Sequence, residues 1–372
     1  MRAVAREFAV SVSTVSYWVE RAAGQRLDRV DFSNGKTGRA WNRTSRKLER
    51  KIVLLRSQLR NSVLGEIGAD AIANALSKQL DASPSRATIN RVLERHGLHD
   101  RARRVRRTAP PKGWYLPTVA CGQAEIDCFD FIEGLKIARG PLVDVLTAKS
   151  LHGVLTDAWV IEGKSTRITM PLLLERWQRD GKPDYAQFDN DTVFQGAHQF
   201  RDTVGAVSRL CLQLGVIPVF VPPLEHGMQN VIEGFNALWQ EKVWHRRKMA
   251  SQDTLQAHSD RYIAAHRMRH AERTDSAPSR PPLPKGFRFD PKAPLTGTMI
   301  YIRRTTENGQ IRMLGQTFTV SPTWQHRLVR CEIDFRAQRI RCYGLRRRAP
   351  DEQPLLATIA YHRRDKPFMG NV

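Results

Sequence analysis

The sequence predicts a multidomain chain: N-terminal all-α helix-turn-helix units, a central α/β core with a five-stranded mixed sheet, and a small all-β barrel at the C-terminus. Three observations carry this. The 372 residues suffice for several domains of ~100–200 residues each. Hydrophobic spacing is helical over the first hundred residues, alternates between strands and helices from 120 to 245, and becomes short alternating strands after 297. Charge changes sign along the same divisions. Residues 1–60 hold 14 basic and 5 acidic residues and residues 300–348 hold 11 and 3, whereas residues 120–237 hold 10 basic and 15 acidic.

The net charge of +23 points to a polyanionic partner, and an apolar fraction of 41% excludes wholesale disorder. Five scattered cysteines with no CxxC pair give neither a disulfide framework nor a zinc ribbon. No apolar run reaches the ~18 residues a bilayer span needs, and MRAVAREFAV has no signal-peptide core. The expectation is a cytoplasmic, nucleoid-associated protein with no membrane partner.

Residues 1–45 read as a first helix-turn-helix unit. Ala5 and Phe8 face inward, Ser13 caps a second helix, and Thr14, Ser16, Tyr17 and Arg21 lie on its outer face toward DNA. Residues 46–100 repeat the logic: Ala69, Ile72, Ala73 and Leu76 form one apolar stripe, and a helix opening at Ser85 buries Ile89, Val92 and Leu93 while offering Arg86, Asn90 and Arg91 to DNA. The segment 101–118 is a basic linker whose Arg103, Arg104, Arg106 and Arg107 would track phosphates. Residues 273–296 read as a Pro-rich linker before the barrel at 297–350, itself expected to contact DNA.

Within the core, residues 119–272, AEIDCFDF, LKIARGPLVDVLTA and LHGVLTDAWVI read as three strands, the first ending in a turn at Glu133-Gly134. A helix, the strand DYAQFDND, a second helix, the strand VIPVFVPP and a long helix from Gln229 to Arg247 follow. Trp239 and Trp244 belong to the core, His226 is a loop polar group, and Arg246 and Arg247 face DNA at the helix end. Asp127 in the first strand, Asp189 at the end of the fourth and Glu233 in the last helix are the candidate acids, with Asp130 and Glu225 as rivals. Converging carboxylates suit hard divalent cations, and a pair of these can clamp the attacking and leaving oxygens of a phosphodiester.

GQAEIDCFDFIEG, FDNDTVF and QNVIEGFN resemble, in this order, the three acidic segments of the retroviral-integrase-like DDE recombinases. With its flanking modules the whole chain resembles a bacterial insertion-sequence transposase. The resemblance implies an RNase H-like core, two Mg²⁺ or Mn²⁺ ions held by Asp127, Asp189 and Glu233, and cutting of double-stranded DNA at element ends followed by joining of the 3′-hydroxyl to target DNA. It also implies a homo-oligomer on DNA, a loop steadied by Asn190, and Asn236 facing the substrate. Three departures stand out. Asp191 replaces the family's glycine, where a left-handed backbone is expected. The glycine before the glutamate is missing. Asp189 and Glu233 are separated by 43 residues, while Glu225 stands at the family's usual spacing. The alternative from another class is a catalytically inactive DNA-binding protein derived from such an enzyme.

Overall fold

The computed structural model describes residues 1–30, 44–80, 83–98, 111–138, 140–197, 200–223, 225 and 227–363. The chain opens with α1 (Arg2–Glu7) and α2 (Val12–Ala22). Ser11, not Ser13, caps α2: its hydroxyl accepts from the Thr14 amide at 3.1 Å. Ala5 is buried as expected, but Phe8 is 68% exposed. Two short helices bury a single stripe between them, and no other described element covers Phe8. Further on, α3 (Arg46–Arg60), α4 (Ala69–Ser77) and α5 (Arg86–Arg95) pack around Ile52, Leu55, Ile72, Leu76, Ile89, Val92 and Leu93.

The core begins with α6 (Pro117–Ala120). It continues through β1 (Ile126–Lys136), β2 (Leu142–Ser150), β3 (Thr156–Ile161), α7 (Thr166–Asp180) and β4 (Tyr185–Phe188). Then come α8 (Thr192–Gln195), α9 (Ala206–Gln213), β5 (Ile217–Phe220) and α10 (Asn230–Trp239), which runs into a π-helical turn over Gln240–Trp244. The strands lie in the order β3-β2-β1-β4-β5, with β1, β2 and β3 antiparallel and β1, β4 and β5 parallel. Glu133 and Gly134 form a bulge inside β1 rather than the expected turn; the chain reverses at Ile137–Pro141.

The sheet is covered on both faces. On one, Phe129, Ala186 and Phe188 pack against Leu173 and Trp177 of α7 and Leu210 of α9. On the other, Ile126, Cys128 and Ile132 meet Ile232, Phe235 and Trp239 of α10. The same face carries Leu255, Tyr262 and Ile263 of α11 (Gln252–Arg269), which is followed by α12 (Ala271–Asp275). The apolar stripe of α11 is interrupted by Ser259 and His266, which are nevertheless buried. Ser259 accepts from Trp239 Nε1 and donates to the Ala158 carbonyl, so its polarity is satisfied inside.

The C-terminal strands do not close into a separate barrel. β6 (Thr298–Arg304) pairs in parallel with the edge of β5, Val219 with Ile300 and Phe220 with Tyr301. β9 (Leu328–Asp334), β10 (Arg339–Gly344) and β11 (Leu355–Ala360) extend the sheet to nine strands, while β7 (Gln310–Met313) and β8 (Gln316–Thr319) form a hairpin apart. Pairing with β6 satisfies the backbone edge that β5 would otherwise expose. The Pro-rich segment is not a free linker either. The Pro281 carbonyl accepts from the Lys182 amide, and Arg280 donates to Asp127. Gly181 (φ +77°) makes this strap possible, since a Cβ there would stand 2.5 Å from the Arg280 carbonyl oxygen.

Asp127 is fully buried beneath α7. Its carboxylate accepts five hydrogen bonds: two from Arg176, two from Arg280 and one from Trp177 Nε1, all between 2.8 and 3.1 Å. Arg176 continues to Asp157 at 2.5 Å, and Arg179 and Arg267 join Asp157 to Asp180. Burial alone would raise the Asp127 carboxyl, but Arg176 and Arg280 hold it well below the usual carboxylate range. Asp127→Asn should therefore leave buried cations uncompensated and cost about 3–5 kcal/mol in urea unfolding at neutral pH. Because the folded-state pKa is depressed, this stabilisation is present above the unfolded carboxylate pKa of ~3.9 and fades as pH falls below it. The gap between the two proteins should narrow on acidification; an Asp127→Asn protein as stable as wild type at pH 7 would refute the assignment.

Candidate active site

In the parallel pair of β1 and β4, Cys128 stands opposite Gln187. Continuing that register two residues brings Asp130 level with Asp189, one position past the end of β4. Side chains alternate across a strand, so Asp130 shares the α10 face with Cys128 and Ile132, while Asp127 shares the α7 face with Phe129. Asp127 is thus excluded from a site with Glu233, and Asp130 takes its place beside Asp189. The reason is parity: residues three apart on a strand point to opposite faces.

Helix α10 packs its Ile232, Phe235, Asn236 and Trp239 against this face and carries Glu233, exposed, in its first turn. Asn236 is buried. Its Nδ2 donates to Asp130 Oδ2 at 2.8 Å, and its Oδ1 lies 2.7 Å from the Thr147 hydroxyl, which is also 3.0 Å from the Asp130 carbonyl. Asn236 and Thr147 therefore orient the acid. No sequence motif marks Thr147; it stands opposite Asp130 across β1 and β2.

Asp189 accepts from the Asp191 amide at 2.9 Å. Asp191 caps α8 through the Val193 amide with φ −61° and ψ 142°, so this position needs no left-handed backbone. Its carboxylate also meets Lys164 Nζ at 2.5 Å, and the same ammonium reaches Glu133 at 2.7 Å. Asn190 donates to the Val221 carbonyl at 2.7 Å, tying the end of β4 to that of β5. Glu225, the rival glutamate, is occupied elsewhere, by Arg304 at 2.5 Å and Arg347 at 3.3 Å.

The electrostatics follow from this crowding. Burial first, then the charges of Asp189, Glu233 and Glu133, push Asp130 up to about 7, against the pull of the Phe131 amide. Asp189 is also raised, by burial and by Asp191, while the Asp191 amide and Lys164 work against the shift. Among the described residues no three His, Cys, Asp or Glu side chains stand close enough to hold a metal ion as placed. The donor chemistry of Asp130 and Asp189 is nevertheless that of a hard divalent cation: carboxylate oxygens whose mutual repulsion a cation would relieve.

The expected DNA-contacting residues meet different fates. Thr14 lies 2.7 Å from the capping Ser11 hydroxyl, and Ser16 bonds back to the Val12 carbonyl. Tyr17 is exposed, with Arg21 against its hydroxyl. Arg86 pairs with Asp70, while Asn90 and Arg91 are exposed on α5. Arg103, Arg104, Arg106 and Arg107 lie outside the described residues, as does His226. Arg246, exposed, donates to the carbonyls of Arg60, Ser62 and Val63, fastening the loop after α3 to the core. Arg247 stays exposed and, with Lys242, Arg246, His258 and Arg261, lines a cleft of about 440 Å³ at that junction.

No protein-family model matches the sequence, and no curated protein sequence matches it. Among solved structures, the chain is similar to a simian T-cell lymphotropic virus intasome in complex with the PP2A regulatory subunit B56 gamma, with 13% identity, 75% of this chain and 88% of that chain covered, and a TM-score of 0.33. It is also similar to the HTLV-2 integrase catalytic core domain in complex with magnesium in its dimeric form, with 11% identity, 37% of this chain and 82% of that chain covered, and a TM-score of 0.26. Likenesses this distant carry no argument about activity.

The raised pKa of Asp130 has a measurable sign. The native state binds this proton more tightly than the unfolded state, so charge at Asp130 costs stability above pH 7, and the cost is relieved as pH falls from about 7 toward the unfolded value. Asp130→Asn should melt a few degrees above wild type at pH 8 and match it near pH 4. A variant that melts below wild type at pH 8 would show that Asp130 is not held among like charges.

Proposed function

We propose that the chain is a DDE-type transposase, a divalent-metal-dependent polynucleotidyl transferase whose acids are Asp130, Asp189 and Glu233. The observation that carries this reading is the placement of Asp130 level with Asp189 on adjacent parallel strands, with α10 laid across that face and both pKa values raised by burial and then by neighbouring carboxylates. Two Mg²⁺ or Mn²⁺ ions would supply charge neutralisation and activation of the nucleophile, first water and then the freed 3′-hydroxyl. The chain's own residues prepare this site. Asn236 and Thr147 keep the Asp130 carboxylate oriented, the Asp191 amide keeps that of Asp189, and Lys164 neutralises the outlying Glu133 and Asp191. No described helix is long and apolar enough to cross a membrane. The substrate class is double-stranded DNA, element ends and target, engaged by a homo-oligomer. The net charge of +23 and the exposed Tyr17, Asn90, Arg91 and Arg247 support that choice.

The test is purified full-length protein with Mn²⁺ and DNA carrying the element's own ends. Wild type should cut and join. Asp130→Asn and Asp189→Asn should each lose several orders of magnitude in both steps, since both use the same acids, while DNA affinity is nearly unchanged. Glu225→Gln should remain active, and Asp127→Asn should remain active at temperatures where it is folded. Activity in Asp130→Asn and none in folded Asp127→Asn would reverse the assignment. The second reading, an inactive DNA-binding descendant, draws on the absence of a close three-ligand cluster among the described residues; DNA binding without Mn²⁺ binding or cleavage in wild type would establish it.

A further inference from the structure

Arg303 on β6 is a buried arginine, 8% exposed, with no carboxylate partner among the described residues. Burying a guanidinium without a counter-ion is costly, and the cost is tolerable only where oxygen acceptors surround it. Here they do. Nη1 donates to the carbonyls of Ile302 at 2.8 Å, Val221 at 3.1 Å and Phe220 at 3.4 Å, and Nη2 donates to Asn190 Oδ1 at 2.8 Å. The guanidinium stacks on Tyr301, 4.7 Å from the ring centre. Asn190 in turn donates to the same Val221 carbonyl. Asn190, Val221 and Arg303 therefore form a closed triangle that joins the ends of β4, β5 and β6, one residue from Asp189.

We propose that Arg303 is a positioning residue of the active site: reaching in from the C-terminal strands, it locks Asn190 and thereby the backbone that presents Asp189. This rests on the reading of Asp189 as a site acid. It makes the C-terminal strands part of the catalytic unit, not an appended DNA-binding module, because the group that holds the β4 exit is supplied from β6. A lysine could reach one or two of these carbonyls but could not span them and Asn190 at once, since only the guanidinium presents several donors in one plane.

The experiment compares full-length wild type with Arg303→Met and Arg303→Lys, with Arg304→Met as a neighbour whose side chain is half exposed and pairs with Glu225. Two measurements are made: amide hydrogen exchange of the segment 189–195, and the Mn²⁺ concentration for half-maximal cleavage beside the KM for DNA. Arg303→Met should accelerate exchange in that segment beyond any global loss of stability. It should also reduce kcat or Mn²⁺ affinity on the order of 10- to 100-fold, as removal of an outer partner of a metal ligand does, with KM for DNA unchanged. Arg303→Lys should fall between, and Arg304→Met should match wild type. Unchanged exchange and Mn²⁺ dependence in folded Arg303→Met would overturn the proposal. If wild type cuts no DNA, the transposase reading fails and the exchange result alone decides whether Arg303 holds the Asp189 segment. If Arg303→Met does not fold, Arg303→Lys decides by the same two measurements.

Discussion

The structure is organised around a buried ionic knot beneath α7. Asp127, Asp157 and Asp180 are joined through Arg176, Arg179, Arg267 and Arg280, so one connected set of charges fastens β1, β3, α7, α11 and the strap that follows α12. Each charge would be costly alone in this setting, and each is matched by several hydrogen bonds. The knot decides more than stability. It holds Asp127 on the α7 face of β1, while Asp130 lies on the opposite face, toward α10. By capturing Arg280 it anchors the chain that leads to β6.

That anchoring has a consequence for how the chain divides. Strands β6, β9, β10 and β11 continue the core sheet across the β5–β6 pair instead of forming an independent module. Their arginines consequently serve different ends. Arg303 is buried and bonded to backbone carbonyls, Arg304 and Arg347 neutralise Glu225, and Arg330 donates to the Tyr115 carbonyl. A run of basic residues that looks like a nucleic-acid footprint in the sequence is, in these cases, internal joinery.

The candidate site itself is a balance of like charges. Asp130, Asp189, Asp191, Glu133 and Glu233 crowd one end of the sheet, and Lys164 is the cation bonded to this set, on its outer pair. Asp130 and Asp189 both have raised pKa values, from burial first and then from neighbouring carboxylates.

The sequence by itself determined the order of elements through the core, the stretch of carboxylates between basic flanks, and the helix opening at Ser85, because periodicity and charge are local properties of the chain. It also placed Asp189 at the end of a strand and Glu233 at the start of a helix. It could not tell Asp127 from Asp130. β1 is covered on both faces over its first half and carries one aspartate toward each, so no apolar-polar alternation marks which of the two shares a face with α10. Nor could it show that Glu133-Gly134 is a bulge, that Ser259 and His266 of α11 lie inside, or that β6 continues the core sheet. Each of these depends on which groups meet across long stretches of sequence. Arg280 finding Asp127, and Arg303 finding Asn190, are encounters between residues more than a hundred positions apart, and only the packed tertiary structure brings them together.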